Sequence, residues 1–481
     1  MLPGKLSINA WTGPGGSVSA DVDQDQAPSW GVRGRFPAAA GLLAPAAVAP
    51  EFQWWHEQHG WGVVLPEPAD ASWSDEDKAW ARDAPAPVQR LVRCRLPEPY
   101  RPAPVLRFDP TLPDGYLRRY FPDGTKTEPR FGLEIGLTAR KMVPRYLLIV
   151  GDPEAVPWRV QYALDQSHHV GRLDLDDEGL SNYVDALLSG WTDSHADPQS
   201  ATVWSVDLQV ADDITREMRT TIAHPVYELL NGDNEITAGV DYLSDDRAVV
   251  AELVASLQRR PALVVTTSHG KTSPLDAARR EELAASLGVL VDRQDHFVDG
   301  AALAGWEPNG AIWYAHACCS AGCDHGTSYK GLLSAGEPAT RVVEAVAGLP
   351  AQVAPLPKAL LGGSKPLRAF IGHVEPTFDW TLRDELNRQP LTTGIQQELY
   401  NRLYQPWPVG LAFDPYHRGV GELYTQWVKL KDRLDERGDI TVLPDATRVR
   451  LTAVDRESLV VLGDPTATLP PLPSRRSPAG E

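Results

Sequence analysis

The sequence predicts an α/β protein: a doubly wound, mostly parallel sheet with helices on both faces, preceded by an irregular region rich in proline and tryptophan. Three observations predict it. From residue 132 to 470, short β-branched runs alternate with stretches of helical period, the texture of strand–helix–strand units. Two of the most apolar runs end in reactive residues, which is where an open parallel sheet gathers its chemistry. The chain has 481 residues, enough to bury a large core without help from disulfides or metal.

Residues 1–131 carry "RFPAAAGLLAPAAVAPEFQWWHEQHGWGVVLPEPAD" and show no sustained helical period, although "SWSDEDKAWARDA" can start a helix at Ser74. Its tryptophans argue against disorder, so this region is expected to pack onto the core. Within 132–470 the expected strands are "RYLLIVGDP", "TVWSVDLQV", "ITAGVDYL", "ALVVTTSHG", "AIWYAHACC", "LRAFIGHVEP" and "SLVVLGDP". Two amphipathic helices stand out between them. In one, Ile214, Met218, Ile222, Val226 and Leu230 recur every four positions behind a cap at Asp212 or Asp213; in the other, Val249, Leu253 and Leu257 repeat the pattern. The "GDP" tripeptides read as turns whose proline halts the strand. Residues 471–481 are expected to form a free, Pro-rich tail.

Charge and composition exclude several classes. A net charge of −18 opposes phosphate backbones, so nucleic acid is not an expected partner. No segment approaches eighteen consecutive apolar residues and the first thirty hold no signal-type run, which leads to the expectation of a cytoplasmic protein without membrane contact. Four cysteines, three of them between residues 318 and 323, do not make a disulfide framework.

The run "ALVVTT" leads into Ser268, His269 and Gly270, and "AIWYA" leads into His316, Ala317, Cys318 and Cys319. If those strands are neighbours, an imidazole and a thiol share one edge, and the histidine can take the thiol proton to make a nucleophile. An unassisted thiol, with a pKa of about 8.5, is only a few per cent ionised at neutral pH. Gly270, bare of a side chain, can bring its N–H beside the reacting carbonyl as an oxyanion donor. Taken singly, these residues have plainer readings: His269 as a satisfied strand-end histidine, and Cys319 and Cys94 as small buried hydrophobes. The cluster at 316–325 also has the residue types of a zinc module, but all from one segment, whereas structural zinc sites draw paired knuckles from two places. "GGSVS" lacks the context of a nucleophile elbow, and the "GDP" turns lack the spacing and lysine of a phosphate loop.

A strand ending in "SHG", followed forty-nine positions after its histidine by the first cysteine of "ACCSAG", resembles the caspase/gingipain/CHAT superfamily of cysteine peptidases. "YLLIVGDPEAVP", "VGRLDLD" with "LSNYVDALLSGW", and "LVVLGDP" resemble further segments of gingipain-like domains. The resemblance implies a caspase-like sheet over 132–470 and a cysteine endopeptidase without cofactor or metal. Its implied site has Cys318 as nucleophile, His269 as base and Gly270 as oxyanion donor. It also implies an acid orienting the histidine, placed at Asp207, and pocket acids for a basic substrate residue at Asp212 or Asp213, with His316, His373, Glu375 and Asp379 as further pocket candidates. Cys318 is favoured over Cys319 because only that register fits the family pattern, and strand alternation would send the two thiols to opposite faces. The implied partners are a protein or peptide substrate and an activating protein, with self-cleavage as another route to activity and bacterial defence as a role. A catalytically silent scaffold and the zinc module stand as alternatives.

Overall fold

A computed structural model describes residues 2–34, 49–383, 389–405 and 407–473. The expected free tail therefore lies outside the described residues from 474 onward. Three short strands open the chain: β1 (Lys5–Ile8), β2 (Ala10–Trp11) and β3 (Val18–Asp21). There follow β4 (Trp61–Pro66), β5 (Val105–Phe108), β6 (Arg118–Tyr120), β7 (Lys126–Thr127), β8 (Tyr146–Val150), β9 (His169–Leu173), β10 (Asp197–Ser205), β11 (Gly239–Leu243) and β12 (Pro261–Thr267). The remainder are β13 (His269–Lys271), β14 (Leu290–Val291), β15 (Phe297–Val298), β16 (Ile312–His316), β17 (Gly322–Cys323), β18 (Gln352–Val353), β19 (Ala369–His373) and β20 (Leu459–Gly463).

Twelve of these strands form one mixed, mostly parallel sheet in the order β11-β10-β12-β16-β19-β20-β9-β8-β4-β5-β6-β7. The strands from β11 to β19 run parallel, and so do those from β20 to β5. The two blocks meet antiparallel at β19 and β20, where Ala369 faces Gly463 and His373 faces Leu459. The carboxyl ends of the two blocks therefore point to opposite edges. Strands β8, β12, β16, β19 and β20 are buried at every position, as strands covered on both faces must be.

Each of the seven runs picked from the sequence contains a strand. The N-terminal region departs from its expected irregularity. β4 to β7 join the same sheet, with Trp61 of β4 opposite Tyr146 of β8, so no boundary falls at 131/132. "WGVVLP" and "VLRF" are short apolar runs hemmed by prolines, which hides them from a search for period. Trp61, Trp158, Trp204 and Trp313 are fully buried. Burying an indole removes roughly 200 Å² from water and contributes on the order of 5 kcal/mol before entropy is counted. Trp61 also donates from Nε1 to Asp464 Oδ2 at 3.0 Å, tying this region to the turn after β20.

The helix expected after Asp213 is Ile214–Met218, a wider π-type turn at Arg219–Ala223, and His224–Asn231. Pro225 has no N–H to return to the carbonyl of Thr221. That carbonyl instead accepts from Thr392 Oγ1 at 2.6 Å and Gln396 Nε2 at 2.7 Å, so the break in the ladder becomes a docking point for the helix Thr393–Gln397. The other expected helix is Val250–Leu257, and Ser74 caps Asp75–Ala79 by accepting from the Asp77 N–H.

Candidate active site

The sheet order creates the crevice. From β10 the chain moves outward to β11, then returns to the other side of β10 as β12 and proceeds to β16. The connections leaving β10 and β12 diverge, and a parallel sheet opens a cleft at such a point. Asp213 lies on the connection after β10, and His269 lies two residues beyond β12.

β12 and β16 are parallel neighbours with Thr267 opposite His316. Two residues past each of these, His269 and Cys318 leave adjacent strand ends. Gly270 fixes how closely the two loops approach: a Cβ there would stand 1.9 Å from the Cys318 carbonyl oxygen and 2.9 Å from its carbon. Any side chain at 270 would force the loops apart.

Asp213 holds the histidine. Its Oδ2 lies 2.9 Å from His269 Nε2, and both side chains are buried. Its Oδ1 accepts the Thr215 N–H at 2.9 Å and the Thr215 hydroxyl, capping the helix Ile214–Met218. Asp212, at φ +62°, makes the left-handed turn that leads into this cap. Burial would raise the Asp213 pKa, but the hydrogen bond and charge of His269, with the two bonds from Thr215, hold it below the ordinary carboxylate value. An ionised carboxylate only accepts, so Nε2 presents a ring N–H to it, and Nδ1 is the nitrogen turned away from the pair. Nδ1 is buried and has no hydrogen-bond partner.

This geometry revises the role expected of Asp207. Its carboxylate accepts the Gln209 N–H at 2.8 Å and lies 3.6 Å from Arg219, while Asp213, six residues later and expected in the pocket, is the acid on His269. The register shift arises because the chain continues as a loop from 206 to 212 before the helix begins. The sequence did carry a signal: "DDIT" marks a helix cap, and a capping carboxylate has a second oxygen free to point back over the strand end.

The cysteines also differ from expectation. β16 ends at His316, so Cys318 and Cys319 lie in a turn, where strand alternation no longer applies. Cys319 takes φ +54°, and its Sγ comes within 3.4 Å of Cys318 Sγ, both being free thiols. Burial first, then the neighbouring Cys318 thiol, raises the Cys319 pKa well above its ordinary value.

Two histidines expected in the substrate pocket are interior. His316 Nδ1 lies 2.9 Å from the Tyr314 hydroxyl and 3.3 Å from His373 Nε2, and His373 Nδ1 lies 3.2 Å from Ser458 Oγ. Burial lowers the His316 pKa to about 3, and burial with the His316 charge lowers that of His373. They form a buried hydrogen-bonded chain beneath the cysteine turn. Gly270 does not offer the expected free N–H either, because it donates to the Asn9 carbonyl at 3.0 Å. Asp379 accepts the Ser7 N–H at 3.1 Å, and the Asp212 carbonyl accepts the Ser7 hydroxyl at 3.3 Å. Nothing in the sequence pointed to Ser7 or Asn9, since the partners are more than two hundred residues away.

Glu375 stays an acid beside the cysteine turn: its carbonyl accepts the Cys319 N–H at 3.5 Å, and its Oε2 is buried without a partner. Burial first, then the charges of Asp324, Glu457 and Asp455, pushes its pKa up to about 8. A raised carboxyl contributes stability below its unfolded pKa that is lost as pH rises through the folded one. The buried histidines, with lowered pKa values, cost stability only below about pH 6.5. Between pH 6.5 and 8, unfolding free energy is therefore expected to fall, and Glu375→Gln to recover about 1–2 kcal/mol of that fall. Urea unfolding at the two pH values checks it, an unchanged slope in the variant being the contrary result.

Among the described residues no group of three or more His, Cys, Asp or Glu is placed to hold a metal. In the Cys/His cluster, Cys323 Sγ meets the Pro350 carbonyl at 3.5 Å and His325 Nδ1 the Leu349 carbonyl at 3.1 Å. Among the described residues no helix is long and apolar enough to cross a membrane.

No family model and no curated protein matches the chain. Among solved structures it is similar to the Arg-specific cysteine proteinase gingipain R, at 12% identity and a TM-score of 0.39 over 87% of this chain and 79% of that one. It is also similar to the complex of Porphyromonas gingivalis RgpB pro- and mature domains, at 12% identity and a TM-score of 0.35 over 68% of this chain and 66% of that one. At these values the likeness stands beside the chain's own strand order and adds no residue to the site.

Proposed function

We propose that the protein is a cysteine endopeptidase working through Cys318 and His269, with Asp213 as the positioning residue. The observation that carries this reading is the Asp213–His269 pair, which engages Nε2 and leaves Nδ1 without a hydrogen-bond partner at the strand end next to the cysteine turn. His269 Nδ1 takes the thiol proton, and Cys318 Sγ attacks the carbonyl carbon of the scissile peptide. The Cys318 N–H, joined by that of Gly270 once Asn9 is displaced, receives the oxyanion. The imidazolium then gives its proton to the departing amine, leaving a thioester. Water, deprotonated by the same histidine, hydrolyses the thioester and frees the thiol.

The same reading assigns a basic residue, Arg or Lys, to the position before the scissile bond. The acidic surroundings of the cysteine turn, Glu375 with Asp324, support it, as does Asp379, which accepts the Ser7 N–H. A guanidinium entering beside Glu375 would favour its ionised form and draw its pKa back down. A peptide library scored by residue at each position tests both statements. Cleavage confined to bonds after Arg or Lys is the expected outcome; cleavage after acidic or apolar residues would remove the basic assignment, and absence of cleavage in an opened variant would favour a silent scaffold.

A further inference from the structure

The chain's own residues 7–11 lie across the strand ends that carry His269 and Cys318. Ser7 bonds to Asp379 and to the Asp212 carbonyl. The Asn9 N–H donates to the Thr377 carbonyl at 3.2 Å, and Asn9 Oδ1 accepts the Thr377 N–H at 3.2 Å. The Asn9 carbonyl takes the Gly270 N–H. β2 then adds in parallel to β13, with Ala10 opposite Gly270 and Trp11 opposite Lys271, and the Trp11 carbonyl accepts the Thr272 N–H at 3.0 Å. Trp11 is latched at the far end: Nε1 donates to Asp295 Oδ1 at 2.7 Å, and its ring meets Phe297 edge-on at 5.1 Å. Leu6, Ile8 and Ala10 share one apolar cluster with Cys318 and Cys319.

Three features separate this from ordinary core packing. The segment is extended and occupies main-chain groups on both walls of the cleft, the loop after β12 and the loop after β19, and these are the groups by which a peptide strand is bound through strand addition. It closes the site: Cys318 is 0% and His269 2% exposed, and a substrate carbonyl cannot reach a sulfur without accessible surface. It is also followed by a glycine-rich turn that leads into β3, with which β1 pairs antiparallel from Lys5–Asp21 to Ile8–Val18. Thr12 to Ser17 reads "TGPGGS", with Gly13, Gly15 and Gly16 at φ +150°, +123° and +103° and open space around the first two.

We propose that residues 5–11 are a built-in occupant of a cleft that binds extended peptide strands through their main chain, and that a peptide reaches Cys318 only when this segment withdraws. The peptidase reading names the competing ligand; the occupancy itself is independent of it.

Alkylation of the full-length native protein by iodoacetamide, followed at each cysteine by peptide mass spectrometry, tests the proposal. Cys94 is exposed and reports intrinsic reactivity, while Cys323 is buried and reports unfolding. In the wild type Cys318 should react far more slowly than Cys94. In Asn9→Ala and in Trp11→Ala it should react at least tenfold faster, with Cys323 still protected. A synthetic peptide of residues 5–12, KLSINAWT, should slow Cys318 again in those variants where a scrambled peptide does not. Three results would overturn the proposal: wild-type Cys318 as reactive as Cys94, rates unchanged in both variants, or Cys318 and Cys323 accelerating together. Fast, peptide-protectable alkylation in a variant that hydrolyses no peptide supports the occupancy and removes the peptidase reading.

Discussion

Cys318→Ala is expected to lower kcat/KM by about 10⁴-fold or more on the best library peptide, and Cys319→Ala to change it by less than about tenfold. The contrast matters because the two sulfurs are 3.4 Å apart and equally buried, so neither exposure nor the loss of one thiol's volume separates them. What separates them is position. Cys318 and His269 each lie two residues beyond the paired positions His316 and Thr267, and a Cβ on Gly270 would stand 1.9 Å from the Cys318 carbonyl oxygen. Cys319 is turned away by its left-handed backbone at φ +54°. Both variants are best assayed with Trp11→Ala also present, so that access to the cleft does not limit the rate. Thermal unfolding serves as the control, since each substitution removes one buried sulfur and should cost a similar amount. Retained hydrolysis in Cys318→Ala, or equal loss in both, would end the assignment.

Asp213→Asn should be nearly as damaging to turnover, by about 10³- to 10⁴-fold in kcat, while leaving the fold almost untouched. Asparagine caps a helix about as well as aspartate, so the helix Ile214–Met218 keeps its start. Its amide N–H₂ would face His269 Nε2 as a donor, however, and force the ring proton onto Nδ1, where it blocks uptake of the thiol proton. A positioning role has a distinctive pH signature. In the variant, rate should keep rising with pH into the range where an unassisted thiol ionises, near 8.5, while the wild type levels off earlier. Asp213→Ala should add a loss of about 1 kcal/mol in stability from the missing cap. A pH profile of wild-type shape in Asp213→Asn would mean that the carboxylate does no more than cap.

The legible and illegible parts of the site divide along physical lines. Interior strands such as "ALVVTT" and "AIWYA" announce themselves through unbroken apolar runs, and their order in the chain leads directly to His269 and Cys318. Which acid faces the histidine depended on where the β10 strand gives way to loop, a matter of a few residues that moved the role from Asp207 to Asp213. Where a strand ends also decided the cysteines, for Cys318 and Cys319 alternate only if β16 runs past His316, and it does not. His316 and His373 looked like pocket residues because they sit at strand ends, yet packing closed over them. β4 and β5 went unread because prolines cut their apolar runs short. The contacts of Ser7 and Asn9 could not be read at all, because a hydrogen bond across more than two hundred positions leaves no local pattern.

The reversal of direction between β19 and β20 gives the molecule two chemically unlike ends. His269 and Cys318 sit at one, whereas the Gly-Asp-Pro turns after β8 and β20 sit at the other, where the Thr468 carbonyl accepts from Arg368, next to the start of β19, at 2.7 Å. A surface that gripped the protein by that far end would therefore leave the edge carrying the covered His269–Cys318 cleft, and the residues 5–11 that lie over it, on the opposite side.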